Sequence, residues 1–119
     1  MQLEFKAADA AIRHALRRDP ANRLIAALFA LGGGHGALVR HEERAWASIT
    51  FAGTRHTLAF RFAGEAGVRA GEAFVAALPE HEFAIPHRLV ADATVVAVRH
   101  ALLPTPTLEV ECEVLMLED

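Results

Sequence analysis

"AWASITFAGTRHTLAFRF", residues 45–62, decides the fold: the chain must reverse inside it, and the place of reversal fixes every neighbouring strand pair. Gly53 and Thr54 make a Gly-X pair, the composition of a two-residue type II′ hairpin turn whose first central residue takes positive φ. A turn there sets Phe51 opposite His56, Ile49 opposite Leu58, Ala47 opposite Phe60 and Ala45 opposite Phe62. The large apolar partners then share one face, while Trp46 with Arg61 and Thr50 with Thr57 take the other. A one-residue slip would move every side chain to the wrong face, so the pattern favours this pairing. It places Trp46 and Arg61 for a cation–π contact worth ~0.5–1 kcal/mol.

Downstream, "LEVECEVLML" (108–117) alternates Leu108, Val110, Cys112, Val114 and Met116 with Glu109, Glu111 and Glu113, the pattern of a half-buried strand. "LVADATVVAVRHALL" (89–103) reads as its partner, with "PTPT" in the connection. A five-residue loop, Leu103 to Thr107, pairs Val98 with Cys112, Val96 with Val114 and Arg99 with Glu111. A four-residue loop pairs His100 with Glu109 but sets Val98 against Glu111, and it buries less apolar surface. Leu115, Leu117 and Val95 fall on the glutamate side, an apolar patch that a second copy would cover.

Upstream, "DPANRLIAALFALG" (19–32) has clear helix ends. Asp19 is an N-cap, Pro20 suits the first helical position, and Gly32 suits a left-handed C-cap. Leu24, Ile25, Leu28, Phe29 and Leu31 give it a wide apolar surface. "AADAAIRHALRR" (7–18) has a narrower helical stripe, and "MQLEF" (1–5) alternates like a short edge strand. "AGVRAGEAFVAALPEH" (66–81) is a helix with Val68, Phe74, Val75 and Leu78 inward, ended by Pro79. The expectation is one α+β domain over residues 1–119. It has an antiparallel sheet of about five strands with helices on one face, in the order ααβββαββ.

At 119 residues, 53% apolar and 23% charged, the chain can bury its own core. A net charge of −3 lacks the basic footprint of a nucleic-acid binder, so no nucleic-acid partner is expected. The single cysteine rules out an internal disulfide. The opening lacks a basic segment before a long apolar run, and "LIAALFALGGG" is too short to span a bilayer. A cytoplasmic protein without a membrane partner is therefore expected. The excess of arginine over the single Lys6, with abundant alanine, reads as the base composition of a bacterial genome.

Candidate chemistry is sparse. "HEFAIPH" (81–87) fails the helical zinc motif, because its histidines are six apart and Pro86 breaks a helix. His81 and His87 would meet only across a loop, with Glu82 or Asp92 as a third ligand, so no resident metal is expected. "HEER" at His41 offers no second histidine. His56 falls on the apolar face of the first hairpin, and Asp92 and His100 share a face of the long strand. These three are the candidate acid–base residues. Trp46, Arg61, His87 and Arg88 are the candidate ligand-binding residues. Cys112 reads as an inert core thiol, Ser48 has no histidine beside it, and "GGGHG" (32–36) follows a helix where a phosphate loop would precede one. "EVECEV" reads as a solvated face.

"ERAWASITFAGTRH" (43–56) and "LPEHEFAIPHRLVAD" (78–92) resemble stretches of short proteins from GC-rich bacteria. That resemblance implies no activity and no residue role. The function expected is a small cytosolic binding or assembly module, acting as a homodimer without a cofactor and taking a partner or a small-molecule ligand. The alternatives are an enzyme using a His/Asp pair in a pocket, and a histidine-based metal binder.

Overall fold

Asp19 starts the first helix as its side chain suggests: its carboxylate accepts from the Ala21 N–H at 2.9 Å, and Pro20 follows. The computed structural model describes residues 19–118, in the order α1 (Pro20–Leu31), β1 (Gly36–Ala47), β2 (Ala52–Ala63), α2 (Gly64–Ala77), a 3-10 turn (Leu78–Glu80), β3 (Arg88–Ala101) and β4 (Thr107–Glu118). The fold is α+β, with one antiparallel sheet ordered β1-β2-β4-β3. The described residues hold four strands in the order αββαββ rather than about five in ααβββαββ. The strand expected over 1–5 and the helix over 7–18 lie outside the described residues.

The first hairpin departs from expectation in its turn. The chain reverses at Ser48–Phe51, pairing Ala47 with Ala52, Trp46 with Gly53 and Glu43 with His56. The Ser48 N–H donates to the Phe51 carbonyl at 2.7 Å, and the Phe51 N–H donates to Ser48 Oγ at 3.1 Å. The serine side chain thus closes a turn that has no glycine. Gly53 lies inside β2, between β1 and β4. A Cβ there would fall 2.3 Å from the Met116 carbonyl oxygen and 2.9 Å from Leu117 Cα. The glycine permits close approach of a strand, not a positive φ. With the turn at Ser48–Phe51, Gly36–Ala47 is one continuous strand, so two strands precede α2 where three were expected.

The core faces of β2 and β4 match expectation. His56, Leu58, Phe60 and Phe62 are buried on one, and Leu108, Val110, Cys112, Val114 and Met116 on the other. Leu24 and Leu28 of α1 and Val68 and Phe74 of α2, with Leu78, close the opposite side. Phe74 packs against Phe60 and Phe62, with centroids 5.9 and 5.7 Å away. Phe29 is exposed, and Ile25 and Leu31 are only partly covered. Gly32 keeps φ −80°, so the left-handed turn after α1 falls on Gly33 and Gly34.

The second hairpin is displaced by two residues from expectation. Its loop is Leu102–Pro106, Val98 pairs with Val110, and Arg99 pairs with Glu109. A shift of two preserves the face of each side chain, so the even positions of β4 stay inward. Two irregularities in β3, at Val90/Asp92 and Val95/Ala97, then exchange its faces. Asp92 turns outward opposite Leu115, and Val95 turns inward opposite Cys112. Leu115 and Leu117, expected to await a second copy, are already buried.

On the outer face the glutamates of β4 are met by arginines from three strands. Arg40 reaches Glu111 at 2.6 Å, Arg55 reaches Glu113 at 3.8 Å, and Glu109 takes both Arg61 at 3.4 Å and Arg99 at 2.6 Å. These pairs are solvent-accessible, worth ~0–1 kcal/mol each, and they order the face more than they stabilise it.

Candidate functional site

Strand alternation puts His41 and Glu43 on the inner face of β1, two residues apart, and the hairpin register sets His56 of β2 directly opposite Glu43. His41 Nε2 lies 3.0 Å from His56 Nδ1, and Glu43 Oε1 lies 3.8 Å from the first and 3.6 Å from the second. The imidazole centroids are 5.2 Å apart and the planes differ by 14°. With the nitrogens only 3.0 Å apart, that separation requires the rings to meet edge to edge, sharing one proton along the N···N line.

His56 is 1% exposed, and its Nε2 is buried without a hydrogen-bond partner among the described residues. Burial lowers its pKa below the ordinary histidine value, opposed mainly by the Glu43 carboxylate, so the ring is neutral at neutral pH. The N-terminus of α1 stands over the cluster. Asp19, Ala21 and Asn22 share an open cleft with His41 and Glu43, and Asp19 also borders the depression that reaches His56 and Arg88. Histidine and carboxylate together can bind a divalent cation or hold a proton; both uses need the three atoms to converge, as they do here.

The candidate acid–base residues do not come together. His56 faces the core, Asp92 is exposed on the outer face accepting from Thr94 Oγ1 at 3.1 Å, and His100 is exposed near the end of β3. The β4 partners of His56 and His100, Val114 and Leu108, are six residues apart, about 20 Å along a strand. Asp92 and His100 were expected on one face; the irregularity at Val95/Ala97 lies between them and separates them.

The candidate ligand-binding residues divide between the two ends of the sheet. Trp46 pairs with Gly53, beside Leu117 and Leu89, not with Arg61. Arg61 pairs with Ala37 at the opposite end, and its guanidinium goes to Glu109. His87 is an exposed turn residue with φ 60°, and Arg88 donates back to its carbonyl at 2.8 Å. His81 is exposed, its ring edge-on to Phe83. Among the described residues, the cluster able to surround a metal is His41, Glu43 and His56, and it includes neither His81 nor His87. Reading "HEER" in isolation missed the second histidine, because it lies on the next strand. A turn placed at Ser48–Phe51 would have revealed it.

No family model matches the chain, and no curated protein is similar to it. Among solved structures, it is similar to a chain in the virion of a native gene transfer agent particle, with a TM-score of 0.58 and 12% identity. The match covers 76% of this chain and 84% of that one. At that identity the likeness concerns the fold.

Proposed function

We propose that the chain is a binding or assembly module without catalysis of its own, which associates with a second copy of itself through strand β3. The carrying observation is an apolar edge of the sheet that carries no further strand among the described residues. β3 is an edge strand among the described residues, and Leu89, Val96 and Val98 on it are 58%, 47% and 46% exposed, with Leu102 and Leu103 still more so in the loop beyond. An edge strand presents a row of unpaired backbone groups, and exposed apolar side chains along it favour pairing with another strand. The fold likeness to a chain within a virion supports an assembly role, and the scatter of His56, Asp92 and His100 weakens a catalytic one.

Light scattering coupled to size exclusion tests the reading. The expected result is a dimeric mass at micromolar concentration that falls to a monomer in the Val96→Lys variant with an unchanged circular dichroism spectrum. A wild-type chain that stays monomeric at millimolar concentration would sink it.

A further inference from the structure

We propose that His41, Glu43 and His56 form a binding site for one divalent first-row transition ion, with zinc the ion best suited to the ligand set. The geometry is the main argument. The separations of 3.0, 3.6 and 3.8 Å define a triangle whose three corners are all about 2.0 Å from a common point, the length of a zinc bond to imidazole or carboxylate. An ion at that point replaces the shared proton but lies ~1.4 Å off the N···N line, so the imidazoles must swing toward the carboxylate to aim their lone pairs at it, by roughly 40° each if they share the movement equally.

His41 and Glu43 are partly exposed, on a strand at the edge of the sheet among the described residues, and have room to take more of this movement than buried His56. The Nε2 of His56 has no partner among the described residues whether Nδ1 meets a proton or an ion, so binding adds no new unsatisfied atom there. Two histidines and one carboxylate leave coordination positions open, the arrangement of sites that keep a water or exchangeable ligand rather than of closed structural sites. Those positions face the cleft beneath α1, where the Asp19 carboxylate adds negative charge. The site is independent of the β3 edge and stands or falls separately from the assembly reading.

The test is calorimetric titration of the full, untagged chain with zinc chloride after dialysis against a chelator, repeated with cobalt(II) to read coordination from its visible absorption. One ion per chain is expected. His41→Ala and Glu43→Gln should each weaken binding more than about a hundredfold, since even changes behind a metal ligand cost ten- to hundredfold. The double change of exposed His81→Ala and His87→Ala should leave it intact. Folding of each variant is checked by circular dichroism; His41 and Glu43 are chosen because His56→Ala would open the core. Absence of saturable binding by the wild-type chain overturns the proposal. So does binding that survives His41→Ala, or that disappears in the His81/His87 variant.

Discussion

Replacing Gly53 with alanine tests the strand register directly, because two readings of this glycine predict different responses. As a turn residue with positive φ, it would accept asparagine more readily than alanine. As a point of close approach between strands, it accepts neither. The added Cβ would sit 2.3 Å from the Met116 carbonyl oxygen and 2.9 Å from Leu117 Cα, both backbone atoms that no side-chain rotation can move. Relief requires β2 and β4 to part locally. Overpacking of this kind costs about 1–3 kcal/mol, and backbone neighbours put it at the upper end, a fall in Tm on the order of 10–20 °C. Asparagine at Gly53 should cost at least as much. Gly64 supplies the contrast, with φ 80° and nothing near its missing Cβ. Alanine there should cost about 1 kcal/mol from backbone strain alone, and asparagine less. Urea denaturation followed by the fluorescence of Trp46, the only tryptophan and the cross-strand partner of Gly53, measures all four variants. If Gly53→Ala stays within about 0.5 kcal/mol of wild type, or Gly53→Asn recovers what alanine loses, the close-approach argument is wrong.

Further outcomes follow from the core and from its caps. Phe74→Ala should lose about 3–5 kcal/mol, because the ring fills the space between α2 and both Phe60 and Phe62; calorimetric melting reads it. Val114→Ala, fully buried at the centre of β4, should lose about 1–3 kcal/mol in the same assay. Asp19→Ala removes the carboxylate that caps Ala21 and should cost about 1 kcal/mol, measured by urea denaturation. Burial pushes the Cys112 thiol up to about 12, so iodoacetamide at pH 8 should leave the native chain unlabelled and label it in denaturant, as mass spectrometry would show.

By itself the sequence determined what is local to one segment. The N-terminal cap of α1 follows from Asp19 and Pro20, whose preferences depend only on their own backbone. The buried faces of β2 and β4 follow from the alternation of Leu58, Phe60 and Phe62 and of Leu108 through Met116, which holds whatever lies beside them. Tertiary structure decided which residues meet across strands. A Gly-X pair reads as a turn until the neighbouring strand is seen to occupy the space of a Cβ, as β4 does at Gly53. The irregularities in β3 carry no residue signature, yet one of them parts Asp92 from His100. The cluster of His41, Glu43 and His56 depends on the same pairing: a dipeptide ambiguity of a few residues moves a histidine from one end of a hairpin to the side of another, because register couples every pair in a ladder at once.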